Sequence, residues 1–287
     1  MSERSTERLA IPHPQEKDCS IIGTLEQWSP PQAGSNSKRK IAVILHGAMG
    51  HKDYLFQKRL AQQLPIDSFR FDFRGCHETP GNWRMGGLAD DVVDLQVVVD
   101  HLTKELGYEI DMLVGHSRGS LICFYWLSTA PEAKTVTKFV NVSGRYRMEK
   151  ILETKPPFNE DGYYELKATV ARKPFTTRVY QEDVHNFATW RSSRVTGDFP
   201  PWVHVLTVHG MQDKTVPVYD ALIYASTLSG RKPGTFAYHL SETADHNFTG
   251  LQDEVVSIVL GWLEAFQRDA LVDGLWLAGV KPGKGRL

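Results

Sequence analysis

Asp111-Met112-Leu113-Val114, then Gly115-His116-Ser117-Arg118-Gly119, then Ser120-Leu121-Ile122 is the stretch on which the fold turns. The first four residues have the apolar character of a short strand. The run Gly119–Thr129 has the pattern of a helix. A G-x-S-x-G pentapeptide alone is weak evidence, because small residues recur by chance. With a strand before it and a helix after it, the pentapeptide reads as a nucleophile elbow. Such a turn forces the serine into an exposed, strained backbone, and the flanking glycines allow packing that a side chain would block. The serine also opens a helix, where free N–H groups and the dipole favour developing negative charge.

The same alternation extends outward from the elbow. Strands are predicted at Ile21–Trp28, Lys40–Leu45, Phe69–Phe73, Asp111–Val114, Lys138–Val142, Val203–Val208 and Thr235–Leu240. Helices are predicted between them at Leu55–Leu64, Leu88–Leu106, Gly119–Thr129, Val218–Leu228 and Leu251–Arg268. Short strands alternating with longer helices imply an α/β fold with a mainly parallel central sheet flanked by helices on both faces. Ile41-Ala42-Val43-Ile44-Leu45 is apolar throughout, as a central strand covered on both faces requires. Leu88, Val92, Leu95, Val99 and Leu102 recur at three- and four-residue steps and give one core-facing stripe.

Between Gly144 and Pro201 the rhythm breaks. This stretch is rich in charge and aromatics, shows weak helical patterns, and has no convincing pair of parallel strands. A structureless loop of that length is improbable inside a compact domain. The reading is therefore a core at 19–144 and 202–270 with an inserted cap at 145–201. Flanking it are a flexible N-terminal arm at 1–18 and a C-terminal tail at 271–287, frayed from Gly279. The loop Ser29–Arg39 also reads as flexible.

At 287 residues and 41% hydrophobic, the chain can bury a sizeable core. Its 33 basic and 34 acidic residues give no excess that would announce a nucleic-acid or anionic-membrane partner. The seven apolar residues Leu121–Leu127 fall far short of a membrane span, which needs about twenty. The polar N-terminus has no hydrophobic region behind it, so no secretory signal is expected. Cys19, Cys76 and Cys123 are odd in number and widely spaced, which fits neither a disulfide framework nor a metal knuckle. A cytoplasmic protein is the expectation. Gly285-Arg286-Leu287 only loosely resembles the peroxisomal Ser-Lys-Leu address.

A serine hydroxyl needs a base to take its proton. Of the 11 histidines, His246 is favoured, because it follows the last predicted strand in a loop that can return to the sheet's carboxyl edge. His239 lies within that strand and reads as a packed or surface residue. His46 and His209 precede glycines at strand ends and read as local hydrogen-bonding residues. The base needs an acid to fix its tautomer. Asp213 directly follows the strand Val203–Val208. The turn Ser143-Gly144-Arg145-Tyr146 offers no carboxylate, and Asp245 is too close in sequence to His246 to orient it. The catalytic candidates are thus Ser117, Asp213 and His246.

For the oxyanion, the strand end His46-Gly47-Ala48-Met49-Gly50 suggests the backbone N–H of Ala48, paired with that of Arg118. An ordinary glycine turn is the plainer alternative, and the Arg118 side chain is expected at the surface. Asp90, Asp91 and Asp94 read as the solvated face and N-terminal region of a helix rather than a metal site. No H-x-x-x-H or C-x-x-C supports zinc, and no strand is followed by G-x-G-x-x-G, so neither metal nor cofactor is expected.

Together these segments resemble the α/β-hydrolase superfamily from about residue 20 to 268. Within it they resemble the cinnamoyl/feruloyl-esterase-like branch, often grouped with serine aminopeptidase-like hydrolases. The segments that carry the resemblance are 46–52, Phe71-Asp72-Phe73-Arg74-Gly75-Cys76-His77-Glu78-Thr79, 115–119, His209-Gly210-Met211-Gln212-Asp213-Lys214-Thr215-Val216-Pro217, and Ala244-Asp245-His246. The order Ser117, Asp213, His246 is the order of that superfamily. The resemblance implies a cap between the sixth strand and the strand bearing the acid. It departs from the family pattern at Cys76, His77, Thr79 and Ser120, none of them in the candidate row. Tyr163 and Tyr164 are the candidate cap contacts. The activity implied is hydrolysis of a small-molecule carboxylic ester. An aminopeptidase or thioesterase with the same row, and a catalytically silent binding protein, stay open.

Overall fold

The apolar runs of the sequence become neighbouring strands of one sheet. The protein is seen here as a computed structural model that describes residues 3–29, 38–192 and 197–276. In chain order the strands are β1 (Glu3–Pro12), β2 (Ser20–Ser29), β3 (Lys40–Leu45), β4 (Asp67–Phe71), β5 (Glu109–His116) and β6 (Lys138–Val142). Then follow a separate hairpin of β7 (Tyr163–Val170) and β8 (Lys173–Tyr180), and the strands β9 (His204–Gly210), β10 (Phe236–Ser241) and β11 (Gly274–Leu275). The nine-stranded sheet has the order β1-β2-β4-β3-β5-β6-β9-β10-β11. β2 runs antiparallel to β1 and β4, and every other neighbouring pair is parallel.

The helices are α1 (Gln57–Gln63), α2 (Leu88–Asp100), α3 (Arg118–Thr129), α4 (Ile151–Thr154), α5 (Gln181–Ala188), α6 (Tyr219–Leu228) and α7 (Gln252–Gln267). Strand periodicity explains how they are shared between two faces. Ile41, Val43 and Leu45 join one core with residues of α2, α3 and α6, whereas Ala42 and Ile44 join another with α1 and α7. All five are fully buried, each large side chain contributing roughly 1.5–3 kcal/mol by leaving water. That double burial is why β3 is apolar without interruption. Past Asp100 the predicted long helix changes to a π-turn, His101–Glu105. No helix among the described residues is long and apolar enough to cross a membrane.

Two expectations are corrected. The N-terminal arm is not free: β1 pairs with β2 from Glu3–Ser29 to Pro12–Ser20. Its residues are mostly polar and exposed, yet an edge strand is held by its backbone ladder. Arg4 adds hydrogen bonds to the Ala61, Leu64 and Ile66 carbonyls at 2.5, 3.0 and 3.1 Å. In the tail, Gly274–Leu275 pairs with β10 as the opposite edge. The frayed end at Gly279–Leu287, the Gly285-Arg286-Leu287 tripeptide and most of the loop Ser29–Arg39 lie outside the described residues. Finally, Asp91 and Asp94 are buried, because cationic partners (Arg118 for one, Arg74 for the other) enter the interior with them.

The interruption at 145–201 carries α4, the β7–β8 hairpin and α5. Its strands are antiparallel, and their side chains alternate between buried or half-buried and exposed. A one-faced ribbon of that kind shows no continuous apolar run. Its own small core is Tyr164, Val179 and Val184, with Met85 packed against it.

Candidate active site

β5 delivers Ser117 to the carboxyl edge of the sheet. Ser117 has φ 50° and ψ −114°, a conformation costly for a non-glycine residue and typical of strain held at functional sites. Two close approaches hold the turn. A Cβ on Gly115 would stand 2.5 Å from Ser120 N, and one on Gly119 would stand 2.7 Å from His46 O. Only glycine lets α3 fold back onto β5 and lie against the end of β3. The Ser117 N–H donates to Val142 O at 2.8 Å, tying the elbow to β6. The Ser120 hydroxyl donates to Gly115 O at 2.7 Å, a further tie between α3 and β5.

The three candidate residues meet. His246 Nε2 lies 3.0 Å from Ser117 Oγ, and His246 Nδ1 lies 2.7 Å from Asp213 Oδ2. A carboxylate only accepts, so Nδ1 carries the hydrogen and leaves Nε2 to accept from the serine hydroxyl. The other oxygen of Asp213 accepts the Thr215 and Val216 N–H groups at 2.8 and 2.7 Å. Burial alone would raise the Asp213 pKa. Hydrogen bonds from His209, His246 and the Val216 N–H outweigh burial and hold it well below the usual carboxylate range. Asp245 turns away and accepts the Asn247 and Thr249 N–H groups of its own loop.

The loop after β3 lies beside the serine: a Cβ on Gly47 would stand 3.3 Å from Ser117 Cβ. Ala48 follows, and Arg118 is the first residue of α3, where N–H groups have no intrahelical partner. His46 braces this loop, with Nδ1–H donating to Gly47 O at 2.7 Å and Nε2 accepting the Phe73 N–H at 3.1 Å. Burial pushes its pKa down to about 4, so it serves as a neutral strut.

The segment after β4 supports the loop from the other side. Asp72 Oδ1 accepts the Lys52 N–H at 2.6 Å, and Oδ2 accepts Lys52 Nζ at 3.0 Å. The Thr79 hydroxyl donates to Asp72 O at 2.7 Å and accepts the Ile22 N–H at 2.9 Å. Asp72, His77 and Glu78 have donor atoms within 4.8 Å of one another, the spacing of a cation site. The Lys52 ammonium already bonds both carboxylates there.

Arg118 corrects the expectation of a surface side chain. It is buried, with Nε on Asp91 Oδ2 at 2.5 Å and its terminal nitrogens on the Met85 and Arg84 carbonyls at 2.6 and 3.2 Å. The residue that opens α3 is thereby anchored to the chain before α2. Tyr164 reaches the same chain, its hydroxyl 3.4 Å from Met85 Sδ. Tyr163 instead packs on Tyr180 on the hairpin's other face, ring centroids 5.6 Å apart.

Two further histidines escaped the sequence reading as parts of the site. His116 Nε2–H donates to His246 O at 3.0 Å. Burial, with the neighbouring His246, pushes the His116 pKa down to about 3, so it is neutral. Strand parity offered the signal: Met112, Val114 and His116 share a face of β5, and the first two lie in the core that also holds Ala244 and Phe248 around the His246 loop. His209 touches the acid loop from β9.

Comparison with known proteins points to the same fold. The sequence profile of the family described as alpha/beta hydrolase fold matches residues 42–163. An uncharacterized Saccharomyces cerevisiae protein, YDL057W, is 28% identical over 246 residues, covering 76% of this chain and 71% of its own. Among solved structures, Est1E from Butyrivibrio proteoclasticus with bound ferulic acid superposes with a TM-score of 0.69 at 19% identity, covering 92% of this chain and 100% of its own. The Pyrococcus furiosus esterase Pf2001 gives 0.60 at 16% identity, covering 92% and 90%. With its parallel sheet, its elbow after β5 and its candidate row at the carboxyl edge, the chain has the α/β-hydrolase fold and resembles the esterase-like branch of that superfamily.

Proposed function

We propose that the chain is a serine hydrolase that cleaves carboxylic esters through an acyl-enzyme. One observation carries this reading: the continuous hydrogen-bonded row Ser117–His246–Asp213, with spacings of 3.0 and 2.7 Å. In the proposed cycle, His246 Nε2 takes the Ser117 proton as Oγ attacks the acyl carbon. The imidazolium then returns a proton to the departing alcohol. Water attacks the acyl-enzyme by the same route in reverse. Asp213 holds the tautomer and stabilises the imidazolium. The backbone N–H groups of Ala48 and Arg118 take the oxyanion, and losing one such donor typically costs about 3 kcal/mol in the transition state.

Residues 145–201 act as the cap and set the choice of acyl group. Tyr164, turned toward the Met85 chain, is better placed for that task than Tyr163. Ferulic acid bound to Est1E makes a hydroxycinnamoyl ester the first acyl group to try. The test is fluorophosphonate labelling together with a panel of p-nitrophenyl and cinnamoyl esters. The wild-type chain is expected to label and turn over. Ser117→Ala is expected to do neither, with ester cleavage down about a millionfold. Undiminished cleavage by Ser117→Ala would refute the reading.

A further inference from the structure

His209 is fully buried near the end of β9, four residues before Asp213. Its Nε2 lies 2.8 Å from Val216 O and 3.3 Å from Asp213 Oδ2. A carbonyl oxygen only accepts, so the hydrogen of the neutral ring is on Nε2 and Nδ1 is bare. Nδ1 is buried with no hydrogen-bond partner among the described residues. The ring is thus committed to the acid loop. The oxygen it meets, Oδ2, is the same one that accepts His246 Nδ1–H at 2.7 Å.

We propose that His209 is a positioning residue and the fourth member of the row: its single N–H clamps the loop 213–216 and shares Asp213 Oδ2 with His246, tempering the pull of the carboxylate on the base. The inference rests on the reading of Ser117, His246 and Asp213 as a working row. A carboxylate oxygen that accepts a second N–H stabilises its own negative charge and offers less to the first partner. With His209 in place, the carboxylate stabilises the His246 imidazolium less. Removing the N–H should shift the titration of His246 upward.

The charged and titratable groups that face Asp213 are His246 and His209, His116 from the end of β5, Arg145 from beyond β6, and Asp245. Arg145 donates to Thr215 O at 2.6 Å and is unchanged by the substitution, as are the others.

The test compares wild type with His209→Leu, which removes the donor, and His209→Gln, whose amide N–H can occupy the Nε2 position. Nitrogen-15 NMR follows the His246 ring against pH, and the acid limb of kcat/KM is read on p-nitrophenyl butyrate. His209→Leu is expected to raise both midpoints by roughly half a unit to one unit, with His209→Gln returning them toward wild type. A folded His209→Leu with unmoved midpoints overturns the inference, since a merely structural part would lower kcat without moving them. Should His209→Leu not fold, the wild-type His209 Nε2–H resonance decides: it should step as His246 titrates, and a flat trace overturns the inference. Fluorophosphonate labelling separates the two levels. A labelled protein with unmoved midpoints rejects His209 alone, and an unlabelled protein rejects the catalytic reading and what is built on it.

Discussion

The elbow and the β7–β8 hairpin solve opposite problems. At the elbow a strained serine is held by glycine contacts, by the β6 ladder and by buried polar side chains, each of which meets a specific partner. In the hairpin one face packs on a core of three buried residues and the other is wet, carrying Glu165, Lys167 and Arg178. The first arrangement is expected to tolerate little exchange, because its members meet fixed partners. The second is expected to tolerate exchange on its outer face, where side chains meet water rather than fixed partners. Perturbing both regions in parallel tests that contrast.

After Ser117→Ala, the largest effect is expected at Asp213→Asn. The amide presents an N–H to His246, favours the wrong tautomer and removes the counter-charge of the imidazolium. A loss of about 10⁴ in kcat on a p-nitrophenyl ester is expected, with the thermal midpoint far less affected. A loss below tenfold would mean that Asp213 does not orient the base. Next comes the Arg118–Asp91 pair. Burial outweighs Arg118 and pushes the Asp91 pKa up to about 6, so the pair is ionised at neutral pH but held at a cost. Asp91→Leu strands the buried guanidinium and should cost about 3–5 kcal/mol in denaturant unfolding. Arg118→Met combined with Asp91→Leu should recover most of that loss. A recovery near zero would show that the Met85 and Arg84 carbonyls, rather than Asp91, are what the arginine serves.

The sequence was informative where structure is periodic or punctuated. β3 and β6 match the predicted Lys40–Leu45 and Lys138–Val142 residue for residue: β3 is apolar throughout after Lys40, and Phe139, Val140 and Val142 carry the signal of β6 although buried Lys138 and Asn141 interrupt it. Ser117, Asp213 and His246 could be picked out because each stands just past a strand, and the structure brings them within hydrogen-bond reach. Features that depend on partners distant in sequence could not be read this way. Arg118 looked like a surface cation because nothing near it reveals Asp91, 27 positions earlier. β1 looked like a polar arm because its stability lies in backbone pairing that composition does not record. The hairpin was missed because its half-buried face alternates with charge, the pattern shared by loops and strands alike.

Acid titration of stability sharpens the contrast further. Burial holds the His46 pKa at about 4, against an ordinary 6.5. Between those values the unfolded chain binds a proton that the folded one refuses, so stability falls as pH drops from about 6.5 toward 4. The full difference is about 3 kcal/mol. His46→Gln should flatten that window while costing about 1–3 kcal/mol at pH 7 if the Phe73 N–H loses its acceptor. An unchanged slope in urea melts at pH 7 and pH 4.5 would assign the acid sensitivity elsewhere, with His116 the next group to replace.

The smallest effect is expected on the hairpin's wet face, at Lys167→Ala. Lys167 is exposed, and its contact with Glu165 is an exposed ion pair at 3.2 Å between side chains on the same strand. Such pairs contribute little, because water screens them and holding two long side chains costs entropy. The thermal midpoint should stay within the shift produced by about 0.5 kcal/mol, and kcat on p-nitrophenyl acetate should stay at the wild-type value. Tyr164→Ala, on the buried face of the same ribbon, should separate the two properties. It removes packing against Phe158 and Met85, so it should change the ratio of cinnamoyl to acetyl ester turnover while the labelling rate of Ser117 holds. If Lys167→Ala moved that ratio as much as Tyr164→Ala, the division of the hairpin into a working face and a tolerant one would be wrong.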